Sequence, residues 1–337
     1  IFTGSVDRLV TLWSTETSER IGTYIHEAAV NCMTVTPDSK YLLSGDNSGH
    51  VYIWDVSTGT NLAIIASDLP SASSSLDLGV SDRQICATFP CRAKKDRSSV
   101  FVFNVEDVLK GKPDEIKPST DNSEVKVKHY KLSSLPNTKV VSDTDHKISI
   151  TKFLNSNKNL LCAFDNGLME CRDIKGSVLK SAQFHEEGKP IMDLDITPKE
   201  ELALSSAKDG KSVLFDPDNL EILNCFAPEN PKRNINSGKI SPLFNPDLSE
   251  KDQLRHCIIG GGQESKSVTF TRATEGGFEV LIYDMITGEE VGSISGHFSP
   301  INSLAVSHSG KIIVSGGEEA TVRVHNLPPE YYQLKDY

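Results

Sequence analysis

Short runs of alternating apolar and polar residues recur along the chain, separated by clusters of Gly, Ser, Asn and Asp. In Tyr41–Asp55, YLLSGDNSGHVYIWD, an apolar run meets a small-residue turn and then a second run that ends in an aromatic and an acid. The same order appears in Ile1–Trp13, Glu201–Asp216 and Lys311–Asn326, and its closing half in Phe278–Asp284. Period-two alternation places successive side chains on opposite faces, so each run predicts a β-strand. A further turn follows, as in Trp54-Asp-Val-Ser-Thr-Gly-Thr-Asn-Leu and Tyr283-Asp-Met-Ile-Thr-Gly-Glu-Glu-Val, and leads into a fourth strand. The Gly, Asn and Asp of these turns supply positive φ or Asx hydrogen bonds. The predicted unit is a four-stranded antiparallel sheet.

Closing positions of the unit fall at Trp13, Trp54, Phe103, Arg172, Phe215, Tyr283 and His325. The shortest steps between them match the roughly 40–45 residues of a WD repeat. Longer steps hold polar or Pro-rich insertions, chiefly Lys110–Ser142 and Ala227–Gln253, which read as surface loops. One such sheet cannot bury both of its faces alone. Stacking the sheets radially buries them and leaves only short edges. The expectation is therefore an all-β chain, a single WD-repeat β-propeller of seven blades over residues 1–337, with its first blade incomplete at the N-terminus.

Composition narrows the setting. Of 337 residues, 37% are hydrophobic and 24% charged, with a formal net charge of -11. An acidic balance argues against bulk-charge binding to nucleic acid, which needs clustered Lys and Arg. The cysteines number 7 with no Cys-x-x-Cys pair, which favours reduced thiols in a cytoplasmic setting over disulfides or zinc. No apolar run is long enough to span a bilayer. No cofactor or metal motif stands out.

Several polar residues match the internal hydrogen-bond set of the WD family. They are Thr3, Asp7 and Trp13 in blade 1, and His26, Ser44 and Trp54 in blade 2, where Ser48 takes the usual Asp place. In blade 5 they are His185, Ser205 and Asp209 with Phe215 in the Trp place; in blade 7, His297 and Ser315 with Glu319 and His325 substituted. A His, Ser and acid trio invites a hydrolase reading. The trio recurs in separate blades, whereas an active site occurs once, and no Gly-x-Ser-x-Gly elbow accompanies it. Mutual satisfaction of buried polar groups is the better account. An enzyme with its site in a central channel would need clustered acids, bases or metal ligands, and none is evident.

Gly260–Ser267, GGGQESKS, resembles a phosphate loop only superficially, since no Gly precedes the Lys and no helix follows; it reads as a strand-end turn or bulge. The basic runs Arg92–Arg97 and Lys126–Lys131 read as a hairpin tip and as an edge strand guarded by lysines, without direct nucleic-acid binding.

The last third carries a closer resemblance. Gly260–Glu264 reads GGGQE, Gly296–Asn302 reads GHFSPIN, Ser315–His325 reads SGGEEATVRVH, and Pro-Pro-Glu-Tyr-Tyr follows. Glu19–Tyr24, ERIGTY, is collinear with the same pattern. This set resembles the i-subunit family of eukaryotic translation initiation factor three, although Glu319-Ala320 replaces that family's Asp-Gly and the insertions are longer. The resemblance implies a seven-bladed propeller without catalysis, a scaffold that holds a helical segment of subunit b and contacts subunit g. Through them it would support recruitment of mRNA and, indirectly, of the small ribosomal subunit. It places the b segment on blades 5 and 6, where Asp209, Asp216 and Asp218 are the candidate partner-binding acids. The alternative is a generic WD adaptor in a signalling or ubiquitin-ligase complex. Blade 1 starts at its second strand, so roughly 25–35 further residues, two strands with turns, are expected before Ile1.

Overall fold

The computed structural model describes residues 1–67, 75–78, 84–91, 97–119, 126–135, 138–141, 146–229, 233–244, 253–263 and 277–333. The chain forms two compact units, Ile1–Phe164 with Glu170–Leu179, and Asp165–Met169 with Lys180–Tyr337. The fold is a β-propeller of seven blades.

In the first unit, blade 1 comprises β1 (Phe2–Gly4), β2 (Leu9–Trp13) and β3 (Arg20–Ile25). Blade 2 comprises β4 (Val30–Val35), β5 (Tyr41–Asp46), β6 (His50–Asp55) and β7 (Asn61–Ala66). Blade 3 starts with β8 (Ser75–Leu78), β9 (Gln84–Cys91) and β10 (Arg97–Asn104). There follow α1 (Val105–Lys110), β11 (Glu115–Pro118) and β12 (Lys126–Lys131), before β13 (Lys139–Val141) completes blade 3 in the order β13-β10-β9-β8. Blade 4 comprises β14 (Ile148–Leu154), β15 (Asn159–Phe164), β16 (Leu168–Asp173) and β17 (Val178–Gln183), and the division between the units falls within it. The second unit holds blade 5, with β18 (Ile191–Ile196), β19 (Ala203–Ala207), β20 (Ser212–Asp216) and β21 (Glu221–Phe226). It also holds blade 6, with β22 (Asn234–Ile240), β23 (His256–Gly262), β24 (Val280–Asp284) and β25 (Glu290–Ile294). Blade 7 has β26 (Ile301–Val306), β27 (Ile312–Gly317) and β28 (Val322–Asn326).

The middle strands do not alternate. Every residue of β19 and β23 is buried, as are nearly all of β5 and β6, because blades cover these strands on both faces. Alternation gives way there to runs of Leu, Ile, Ala, Ser and Gly. Outer strands have few neighbours, and β17 and β21 are mostly exposed. Cores lie between successive blades. Val10, Tyr24, Leu42, Tyr52 and Trp54 fill the space between blades 1 and 2. Leu204, Leu214, Phe226, Ile235, Ile259 and Tyr283 do so between blades 5 and 6.

The acid after each closing residue folds the following turn. Asp55 Oδ1 accepts from the amides of Ser57 and Thr58 at 2.9 and 3.1 Å, and Asp284 Oδ1 accepts from Ile286 and Thr287 at 2.8 Å each. Gly59 and Gly288 then take φ values of 69° and 73°. These are the Asx turns that the composition predicts.

The insertion Lys110–Ser142 is more than a loop. Strand β12 pairs in parallel with β7, and β11 pairs antiparallel with β12, so blade 2 becomes a six-stranded sheet. The basic strand Lys126–Lys131 is therefore interior, and the edge passes to β11, whose residues are all exposed and which ends in Pro118. The reason is local. Tyr130 Oη donates to Val108 O at 2.5 Å and to Gly111 O at 3.2 Å, and Lys128 Nζ donates to Leu109 O at 2.5 Å. Together they satisfy the carbonyls that the short α1 leaves open at its end. Val105, Val108, Tyr130, Leu132 and Leu135 then join the core between blades 2 and 3.

Candidate functional site

The His, Ser and acid residues come together inside blades. In blade 1 Trp13 Nε1 donates to Thr3 Oγ1 at 2.9 Å, while Asp7 Oδ1 accepts from Leu9 N at 3.0 Å in the hairpin turn. In blade 2 His26 Nε2 lies 2.6 Å from Ser44 Oγ, which also accepts from Trp54 Nε1 at 3.0 Å. The acid there is displaced: Asp46, fully buried, takes the Ser48 hydroxyl at 2.7 Å and the Tyr52 hydroxyl at 3.0 Å. With that acid bonded elsewhere, His26 Nδ1 turns to Tyr24 O at 3.1 Å. Burial holds the His26 pKa below its ordinary value.

Blade 5 has the fuller set. His185 Nε2 lies 2.9 Å from Ser205 Oγ, and His185 Nδ1 lies 3.0 Å from Asp209 Oδ2. The Asp209 carboxylate also accepts from Glu186 N at 3.1 Å and Lys211 N at 3.0 Å. Burial pushes its pKa up, but the bond to His185 and the two amides outweigh that, and the net shift is downward. Blade 7 uses a longer acid. Glu319 meets His297 Nδ1, the Ser299 hydroxyl and, at 2.7 Å, the Thr321 hydroxyl, and its pKa is lowered to about 2. Ser315 Oγ lies 2.7 Å from His297 Nε2 and 2.9 Å from His325 Nε2. Ser44, Ser205 and Ser315 are all 0% exposed. Each hydroxyl thus faces its own blade, not a space where a substrate carbonyl would sit.

Two blades replace the set. Cys162 and Arg172 stand in blade 4 at the same ten-residue separation that joins Thr3 to Trp13 and Ser44 to Trp54. Burial pushes the Cys162 thiol up to about 12, and Arg172 Nε donates to Glu170 Oε2 at 2.8 Å. In blade 6 Arg233, 3% exposed, pairs with Glu279 at 3.3 Å. Gly260 and Gly261 there are sites of close approach, and a Cβ on Gly261 would lie 1.9 Å from Asn234 O. The glycine run ends β23 opposite a register shift between Ile235 and Ser237, which accounts for a bulge in place of a phosphate loop. Residues 264–267 of that stretch and 92–96 of the first basic run lie outside the described residues.

A second set of groups staples innermost strands and was not anticipated. Asp77 on β8 accepts from Lys152 Nζ at 2.8 Å and Phe153 N at 2.9 Å on β14. In the other unit Asp193 on β18 accepts from Lys239 Nζ at 2.9 Å, and Asp195 accepts from Ile240 N at 2.9 Å, both on β22. Ser237 carries the link on by accepting from Leu304 N at 3.0 Å. The signal in the sequence is an acid inside the first strand of a blade, at Leu-Asp-Leu or Met-Asp-Leu-Asp.

The three candidate partner acids lie at different depths. The Asp209 side chain is 1% exposed. Asp216 Oδ1 accepts from Asp218 N at 2.8 Å, which makes it the turn acid equivalent to Asp55 and Asp284. Asp218 is exposed, and its carbonyl accepts from Lys180 Nζ at 2.8 Å. Beside them on β21, Ile222 and Leu223 are 49% and 51% exposed.

Comparison with known proteins agrees with the blades. Residues 1–55 match the family described as TEP-1 C-terminal beta-propeller, and residues 288–326 match the WD domain, G-beta repeat. The chain is 29% identical over 337 residues to eukaryotic translation initiation factor 3 subunit I of Xenopus tropicalis. It is 28% identical to the proteins of the same name from Schizosaccharomyces pombe and Homo sapiens. Each alignment covers 99% of this chain and 92% of the relative. The chain is a WD-repeat β-propeller protein that resembles, along nearly its whole length, subunit I of eukaryotic translation initiation factor 3.

Proposed function

We propose that this chain is a non-catalytic, cytoplasmic scaffold subunit of the translation initiation factor three complex. The observation that carries the reading is a similarity that runs through 99% of the chain and extends to relatives as distant as a frog and a fission yeast. The inward-facing His, Ser and acid sets support it, because they act as braces that leave rims and outer strands for partners. Subunits b and g are the partners, and through them the small ribosomal subunit and mRNA. A helix of subunit b with one apolar and one basic stripe fits the rim of blade 5. Ile222 and Leu223 offer apolar contact, exposed Asp218 and half-buried Asp216 the acidic edge, and Asp209 holds the turn from beneath. Rim charges of this kind tune association rate and register more than total affinity.

The test is affinity purification of the tagged protein from its own cells, with mass spectrometry of what co-purifies at moderate salt. Dominance of factor-three subunits and small-subunit ribosomal proteins supports the reading. Their absence, with a signalling or ligase complex in their place, overturns it and leaves a generic WD adaptor.

A further inference from the structure

Blade 7 differs from blade 2 in its third member as well as in its acid. In blade 2 the third member is Trp54, whose indole N–H only donates. It fixes Ser44 as an acceptor, so the Ser44 proton points to His26 Nε2 and the chain of bonds stops there. In blade 7 the third member is His325, which can give or accept a proton at Nε2. The Ser315 hydroxyl between His297 and His325, at 2.7 and 2.9 Å, can therefore point either way. His325 is the member of the row that opens to solvent. His325 is partly exposed, whereas the side chains of His297 and Glu319 are 2% and 5% exposed and Ser315 is fully buried.

We propose that His325, Ser315 and His297 form a proton relay that delivers a proton from solvent to the buried His297–Glu319 pair. In the uncharged state His297 carries its proton on Nδ1, toward Glu319. Ser315 then donates to His297 Nε2, and His325 donates from Nε2 to Ser315. A solvent proton binds His325 Nδ1; the Nε2 proton of His325 passes to Ser315 Oγ as the Ser315 proton passes to His297 Nε2. One proton is taken up, no bond between heavier atoms changes, and His325 is left as the Nδ1–H tautomer. His297 becomes an imidazolium against the Glu319 carboxylate, so a buried net negative charge becomes a neutral pair.

The surroundings make His325 a conduit and not a resting place. Its pKa is held below the ordinary value by burial first, then by the charges of His297 and Arg323. Among the described residues, the β27–β28 turn adds Glu318 beside Glu319, and β26 and β27 carry no ionisable side chain. On the blade 6 strands packed against β26, Lys239 is bonded to Asp193 and His256 to Tyr331, and Cys257 is fully buried. Glu319 is bonded by both His297 and Ser299, the neighbours of Phe298, which is 59% exposed. Proton uptake thus changes the charge beneath an exposed aromatic on a braced loop.

The test is nitrogen NMR of the imidazoles in the full chain, labelled at histidine, across about pH 5 to 8. The expected result is that His325 changes from Nε2–H to Nδ1–H with the same midpoint at which His297 gains its charge. A His325 tautomer that stays constant through that midpoint, or a His297 that gains no charge, overturns the relay. His325→Trp copies blade 2 and keeps a donor to Ser315. In this variant proton exchange at His297 slows by at least about tenfold, the equivalent of roughly 1.4 kcal/mol of added barrier. An unchanged exchange rate in the folded variant also overturns it.

Discussion

Asp209 is both a candidate partner acid and a member of an internal set, and one substitution separates these roles. In Asp209→Ala three donors lose their acceptor together: His185 Nδ1 at 3.0 Å, Glu186 N at 3.1 Å and Lys211 N at 3.0 Å. Leaving a buried donor without its acceptor costs about 1–3 kcal/mol, more where the acceptor is charged. The turn around Asp209 is partly open to water, which can reach the two amides, so the cost is set by the buried His185 Nδ1 and lies toward the upper end. Roughly 3 kcal/mol corresponds to about a hundredfold change in an opening equilibrium. Hydrogen exchange reads it directly. Amides of β18–β21 should lose about a hundredfold of their protection, while those of blade 2, in the other unit, should keep theirs. Asp209→Glu should recover only part of the loss. In blade 7 Glu319 is received by Ser299, two residues after His297, but the residue two after His185 is Glu187, a like charge. Asp218→Lys is the contrasting case: exposed and at a turn, it should leave protection within about threefold yet weaken capture of a basic helix. Unchanged exchange in blade 5 of Asp209→Ala, with partner binding lost, would refute the internal assignment.

Other outcomes are as specific. Gly261→Ala puts a Cβ against backbone, with Asn234 O at 1.9 Å, and should cost about 3 kcal/mol or more in a urea midpoint. Gly292→Ala, with nothing within 4 Å, should be neutral. Tyr130→Phe removes the bonds to Val108 O and Gly111 O and should loosen α1 and β12 by about 1–2 kcal/mol in hydrogen exchange, without affecting blade 5. Acid should act in two steps. Burial holds His26, His256 and His325 below the ordinary 6.5, so the unfolded chain binds more protons and stability falls as pH drops below about 6.5. Asp209 and Glu319 are lowered instead; their contribution is present above 3.8 and 4.5 and is lost as pH falls through their folded values, about 2 for Glu319. A urea midpoint that stays flat between about pH 7.5 and 5 contradicts the first step.

What the sequence makes legible follows from which forces are local. The turn acids Asp55 and Asp284 and the glycines after them act within a few residues, so the blade unit can be read from one copy and multiplied. His26, Ser44 and Trp54 can be read for a related reason, since their spacing repeats. The parallel pairing of β12 with β7 cannot be read this way. It joins residues more than sixty apart, and what selects it is the fit of Tyr130 and Lys128 on the end of α1, a contact with no period. Asp77 with Lys152 and Asp193 with Lys239 are similarly distant in sequence, and each is one acid among 46 acidic residues until the strands are stacked. Asp209, Asp216 and Asp218 mark the boundary between the two kinds of inference. Their residue type and blade are plain from the sequence. Depth decides whether a carboxylate braces a turn or meets a partner, and depth is set by what the fold lays over it: Asp209 lies under His185 of its own blade, and Asp218, two residues past the turn acid, reaches solvent.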